Sequence, residues 1–160
     1  MMDLAKILTV IRPGANWALR GDSLEWIDVT PAPTQDEIAA GAITCARNDK
    51  WEQIKNRRDR GKAGGVKVGM KWFHSDDGSR IQQMDLVMMG ASIPANLQWK
   101  TMDGSFITMA QSLASQIFQA VAASDQSIFA VAEGHRAAME ASADPSVYDY
   151  STGWPKVYGE

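Results

Sequence analysis

The spacing of apolar residues changes period several times along the chain, and each change marks an element. Val66, Val68, Met70 and Trp72 alternate with Lys67, Gly69, Lys71 and Phe73, the two-residue repeat of a half-buried strand with a lysine-bearing outer face. Ile81, Met84, Leu86, Val87 and Met88 give instead one broad face of a helix, which Ser79 is expected to cap and which closes at Gly90 before Pro94. Leu97–Met102 and Ser105–Thr108 flank Asp103-Gly104, a dipeptide whose two positions tolerate positive φ, so a hairpin is expected. Thr108, with Gln111 three residues on, then caps the longest helix, Met109 to about Ala141. Leu113, Ile117, Ala120 or Val121, Ile128, Val131, His135 and Met139 mark one of its faces. Its other side is Ala, Ser and Gln with few charges before Glu133, so it requires neighbours on more than one side.

Upstream, Lys6–Ile11 has the β-branched density of a short strand, ended by Arg12-Pro13-Gly14. Trp17–Arg20 and Leu24–Val29 read as two further strands around Gly21-Asp22-Ser23, a small β element that must dock on something else to persist. Pro31-Ala32-Pro33 forms a stiff connector. Thr34 and Glu37 then form a capping box that opens a helix from Gln35 to about Arg60, stopped by Gly61 and the Gly64-Gly65 pair. After Ser142 the character changes: Asp144-Pro145 and Trp154-Pro155 break helix, and Tyr148, Tyr150, Trp154 and Tyr158 crowd a segment with few aliphatic residues. Such a tail either wraps its own domain or inserts into a neighbour.

The expected architecture is α+β. A small N-terminal β element with its proline linker (1–33) leads to a linking helix (34–62) and a compact α+β domain (63–143), followed by an aromatic tail (144–160). The compact domain is expected to hold an antiparallel sheet of about three strands, from Val66–Phe73 and the 97–108 hairpin, covered by two helices, the last one long.

Composition adds two constraints. A chain of 160 residues with 45% hydrophobic content can build a core without staples, and its single cysteine, Cys45, cannot form an internal disulfide, which favours a reducing compartment. The apolar run near the N-terminus is too short for a secretory signal or a membrane span, so a soluble, unprocessed protein is expected. Net charge is −3, yet the stretch from Arg47 to Lys71 holds nine basic residues against three acidic ones. This uneven layout can steer an acidic partner or a phosphate backbone toward one face.

Candidate chemistry is sparse. His74-Ser75-Asp76-Asp77 gathers an imidazole, a hydroxyl and two carboxylates, but His135 is the only second imidazole and no serine sits in a nucleophile elbow, so the cluster reads as a turn. Gly61, Gly64, Gly65 and Gly69 leave a helix and enter a strand, the reverse of a phosphate-binding loop. Neither catalytic residues, nor a metal, nor a cofactor is expected. Arg57, Arg58 and Arg60 near Trp51, Trp72 and Phe73 could serve a nucleic-acid groove, although Glu52 and Asp59 interrupt the run. Six tryptophans and nine methionines are the more persuasive signal, because both residue types are enriched at protein–protein interfaces. The expected partner-binding residues are Trp17, Trp26, Arg57, Arg58, Arg60, Tyr148, Tyr150, Trp154 and Tyr158.

The block Lys71-Trp72-Phe73-His74-Ser75-Asp76-Asp77-Gly78-Ser79-Arg80-Ile81, with Leu97-Gln98-Trp99-Lys100-Thr101-Met102-Asp103-Gly104-Ser105-Phe106, resembles an uncharacterised domain family. That family is widespread in tailed bacteriophages and prophages, where it occurs in tail-fibre and tail-fibre-assembly proteins. The resemblance runs from about Arg57 through Thr108-Met109-Ala110 to Gly153-Trp154-Pro155. Trp17-Ala18-Leu19-Arg20-Gly21-Asp22, Leu24-Glu25-Trp26-Ile27-Asp28 and Pro33-Thr34-Gln35-Asp36-Glu37-Ile38 are similar to the start of many small phage tail proteins. The resemblance implies a setting and no reaction: a non-enzymatic tail component assembled in the bacterial cytoplasm, oligomeric within the virion tail and bound to tail-fibre or baseplate proteins. Two alternatives stand beside it, an assembly chaperone absent from the mature virion and a phage regulator that binds nucleic acid through the basic 47–71 stretch.

Overall fold

Asp3 starts the first element: its carboxylate accepts the Ala5 N–H at 2.9 Å and caps a helix, α1 (Leu4–Ile11). The computed structural model describes residues 3–21 and 23–160, so Met1, Met2 and Asp22, which falls in the expected Gly21-Asp22-Ser23 turn, lie outside the described residues. The strand expected at Lys6–Ile11 is therefore a helix. Leu4, Ile7, Leu8 and Ile11 recur at helical spacing, and that period, which buries Ile7 and Leu8, outweighs β-branched density.

The next elements are β1 (Trp17–Arg20), β2 (Ser23–Trp26), α2 (Gln35–Lys62), β3 (Val66–Val68) and β4 (Lys71–Phe73). They are followed by α3 (Asp77–Met89), β5 (Gln98–Lys100), β6 (Phe106–Thr108) and α4 (Gln111–Ala141). The chain is mixed α+β, with three two-stranded antiparallel sheets among the described residues and a long last helix. The sheet expected from Val66–Phe73 and the 97–108 hairpin is two separate hairpins, linked by a backbone hydrogen bond from the Met102 N–H to the Trp72 carbonyl at 2.9 Å. Gly69, at φ +59°, folds Val66–Phe73 back on itself, which a single strand could not accommodate.

Two compact units form, Met1–Gln53 with Ala138–Tyr148 and Ile54–Ala137 with Asp149–Glu160, and α2 and α4 contribute residues to both. In the first unit α1 packs on α2 at a glycine. A β-carbon on Gly41 would lie 2.6 Å from Ile11 Cγ2 and 2.9 Å from Ile7 Cγ2. The capping box at the start of α2 forms as expected: Thr34 N–H donates to Glu37 Oε2 at 2.8 Å and Glu37 N–H to Thr34 Oγ1 at 3.2 Å. Arg12 Nη2 donates to Glu37 Oε1 at 2.7 Å, and this bond, with that from Thr34, holds the Glu37 carboxyl below the usual range.

The core of the second unit gathers Val66 and Phe73 from the β3–β4 hairpin, Leu86 from α3, Met109, and Ala114, Ile117 and Val121 from α4. Trp99 and Ile107, cross-strand partners on β5 and β6, pack against it. The start of α3 is capped by Asp76, one turn ahead of the expected Ser79, and Thr108 lies in β6, so α4 opens at Gln111 without it. At the end of α2, Gly61 faces Ile128 of α4, where a β-carbon would meet the Ile128 Cδ1 at 3.5 Å.

Candidate interaction surfaces

The His74–Asp77 turn is built by its own hydrogen bonds. Ser75 is buried; its hydroxyl donates to the Lys62 carbonyl at 2.6 Å and accepts the Gly65 N–H at 2.8 Å. Asp76 accepts the Ser79 N–H at 3.1 Å and the Ser79 hydroxyl at 2.7 Å, and the Ser79 bonds hold its carboxyl below the usual range. Gln83 Nε2 donates to the His74 carbonyl at 2.6 Å. Arg80 completes the corner: it forms a two-pronged pair with Asp125 of α4, at 2.6 and 2.9 Å, and donates to the Lys62 carbonyl at 2.9 Å. A cleft of about 380 Å³ opens here, lined by Asp59, Lys62, Ala63, Ser75, Asp76, Asp77 and Arg80. Both roles of the Ser75 hydroxyl are occupied by backbone groups, and the corner joins α2, α3 and α4. Among the described residues no three His, Cys, Asp or Glu side chains come together to hold a metal.

A second polar cluster was not foreseen. Lys71 Nζ lies 2.8 Å from Asp103 Oδ2 and 2.7 Å from Ser105 Oγ, while the Thr101 and Ser105 hydroxyls and the Ser105 N–H all converge on Asp103 Oδ1 within 2.9 Å. A serine beside a lysine is a hydrolytic pairing in other folds. Here the lysine faces a carboxylate, and Lys71 first, with Ser105 and Thr101 after it, holds Asp103 far below the usual carboxylate range. The cluster pins the β5–β6 turn to β4 across 32 residues of sequence, which no local pattern announces.

The residues expected to bind partners are distributed as follows. Trp17 and Trp26 face each other across the β1–β2 hairpin, half-buried, and the Trp26 indole N–H donates to the Thr30 carbonyl at 2.6 Å. Arg57 stands 5.4 Å from the Trp154 ring and 3.4 Å from Glu160, and Arg58 pairs with Asp59 at 2.7 Å while standing 5.0 Å from the Phe129 ring. Arg60 is exposed and makes no ion pair among the described residues. Tyr148 and Tyr150 are half-buried, and the Tyr150 carbonyl accepts the Trp154 indole N–H at 2.7 Å. The tail wraps its own unit: Trp154 stacks on His135 at 5.5 Å, Tyr158 meets Trp72 edge-on at 6.1 Å, and the Tyr158 N–H donates to the Gly64 carbonyl at 2.9 Å. Val157 lies so close to Gly64 that a β-carbon there would stand 2.4 Å from Val157 Cγ1. Arg57 and Trp154 are thereby brought together within one molecule, while Tyr158 lies against Trp72.

Two features of this unit face outward. Beside the tail, Lys67, Trp72, Ser124 and Lys156 border a cleft of about 190 Å³. On α3, Ile81, Met84 and Met88 recur at i, i+3 and i+7 and form a solvent-facing stripe, with Ile81 58% and Met88 79% exposed. Ile81 and Met84 line an apolar groove of about 190 Å³ with Phe118 of α4. Of the broad face expected from Ile81, Met84, Leu86, Val87 and Met88, only Leu86 is buried; it and Gln83 lie on the far side of the helix from the stripe and take the inner positions.

Residues 45–152 match a protein family described as Domain of unknown function (DUF4376). The chain belongs to that family. No curated protein and no solved structure matches it. The DUF4376 region holds the second half of α2, both C-terminal hairpins, α3 and α4, and with them the Arg80–Asp125 corner, the Lys71–Asp103 clamp and the α3 stripe. It stops at Thr152, so Trp154, Val157 and Tyr158 complete a DUF4376 unit from beyond the matched residues. Among the described residues no helix is long and apolar enough to cross a membrane.

Proposed function

We propose that the protein is a non-enzymatic component of a bacteriophage tail, a small structural or adaptor subunit that joins tail-fibre or baseplate proteins. The observation that carries this reading is the α3 stripe. Ile81, Met84 and Met88, with Phe118 beside them, expose a contiguous row of large apolar side chains on a helix that is otherwise anchored firmly by Arg80 and Gln83. Rows of this kind mark association surfaces, and thioether side chains adapt to an irregular partner. The likeness of Lys71–Phe106 and of Trp17–Ile38 to phage tail proteins supplies the setting. Support also comes from the chemistry of the polar clusters, whose hydroxyls are all engaged in holding turns.

A nucleic-acid reading has less to draw on, because Arg57, Arg58 and Lys71 face the carboxylates of Glu160, Asp59 and Asp103. The test is the variant Met84→Asp/Met88→Asp. Both positions are exposed, so it is expected to fold with a stability within about 0.5 kcal/mol of the parent, yet to be lost from assembled tails. Normal incorporation of this variant would exclude the α3 stripe as the joining surface.

A further inference from the structure

The cations of the basic stretch are not all matched by anions. Arg57, Arg58 and Lys71 have carboxylate partners, whereas Lys67 and Lys156 have none among the described residues. These two lysines share one cleft. Lys67 stands opposite Trp72 on the outer face of the β3–β4 hairpin, Ala120 and Ser124 of α4 form the far wall, and the tail brings Lys156 to the rim. The tail is held there by the Tyr158 N–H bond to Gly64 and by Val157 against the Gly64 backbone, so the position of Lys156 follows from the fold.

We infer that this cleft receives the carboxylate side chain of an acidic segment in a partner polypeptide. No acidic residue lines it, so the potential of two ammonium groups is left uncancelled, and the Ser124 hydroxyl adds a third donor. The indole of Trp72 forms an apolar wall against which the methylene stem of a glutamate packs while its carboxylate lies between the lysines. At about 190 Å³ the cleft takes one side chain. A nucleic-acid strand would need a row of unpaired cations along its phosphates, and Arg57 and Arg58 are already engaged with Glu160 and Asp59. The surface is separate from the α3 stripe and does not depend on the tail assignment.

The experiment uses the full chain and three probes: a glutamate-rich peptide, the same peptide with glutamine at every glutamate, and a single-stranded oligonucleotide. Binding is followed by amide and indole NMR shifts. The glutamate peptide is expected to shift Trp72 and Lys67, to weaken with added salt, and to bind about tenfold more weakly to Lys67→Glu/Lys156→Glu. Lys67→Arg/Lys156→Arg should retain binding, and an unchanged melting temperature in both variants separates lost recognition from lost folding. Equal binding of the glutamine peptide, indifference to the charge reversal, no binding of the glutamate peptide, or tighter binding of the oligonucleotide at the same residues would each overturn the inference.

Discussion

Gly65 is the position where a single methyl group should do the most damage. Its φ of +91° lies in the region that side chains avoid, and its N–H is bound to the buried Ser75 hydroxyl at 2.8 Å, which fixes that backbone in place. A β-carbon would stand 2.2 Å from Met102 Sδ and 3.2 Å from the Phe73 carbonyl oxygen. The thioether can move aside; the backbone oxygen of a strand cannot. Gly65→Ala therefore combines a conformational penalty of about 1–2 kcal/mol with an overpacking penalty of about 1–3 kcal/mol. For a chain of this length the sum lowers the melting temperature by roughly 5–15 °C. Urea titration followed by tryptophan fluorescence measures it, with Gly69→Ala as the comparison. Gly69 also has positive φ but nothing within 4 Å of its β-carbon position, so only the conformational part should appear there. In a double-mutant cycle, Met102→Ala should recover the thioether's share of the packing part of Gly65→Ala and leave the share of the Phe73 oxygen in place. A Gly65→Ala protein within about 0.5 kcal/mol of the parent, or a cycle with no coupling to Met102, would refute the reasoning.

Other consequences can be checked on the same material. Lys71 and the two hydroxyls hold the Asp103 carboxyl below its ordinary value, so its contribution to stability is present above the unfolded carboxylate pKa of about 4 and is lost as pH falls through the depressed folded value. Urea midpoints should then show a gap between the parent and Asp103→Asn that is constant from neutral pH to about pH 5 and narrows in stronger acid; a gap independent of pH would contradict the Lys71–Asp103 clamp. Removing Gly153–Glu160 strips Trp154, Val157 and Tyr158 from their unit and should cost about 2–4 kcal/mol, with faster amide exchange at Gly65 and Trp72. Unchanged stability after that deletion would mean that the tail adds nothing to the fold.

Much of the architecture was readable because it is local. The Thr34–Glu37 box, the stop of α3 at Gly90 and the turn at Asp103-Gly104 depend on residues within four positions of one another. At Lys6–Ile11 two local signals compete, and the Leu4–Ile7–Leu8–Ile11 period prevails over β-branched content. The β3–β4 region misled for a different reason. Its alternation is genuine, but Gly69 lies at the centre of it, and a glycine inside a strand pattern also signals a reversal.

What no local pattern contained was convergence. Arg80 and Asp125 are 45 residues apart, and Lys71 and Asp103 are 32 apart. Nothing near either lysine or arginine indicates which carboxylate it will meet. The tail was legible as aromatic and helix-breaking, while its destination depends on Gly64, which lacks the side chain that would keep Val157 out. The α3 stripe was visible as a helical face, yet the sequence alone could not tell which side of that helix Leu86 and Gln83 would turn inward.

The proposed place of the protein is tested most directly by quantitative mass spectrometry of purified virions from an infection or induction in which the gene is expressed. A structural tail subunit should be present in several copies per particle and should co-fractionate with fibre or baseplate proteins after the tail is dissociated. Abundance in the lysate together with absence from the particle would contradict it and would point instead to a chaperone that departs before the virion is complete.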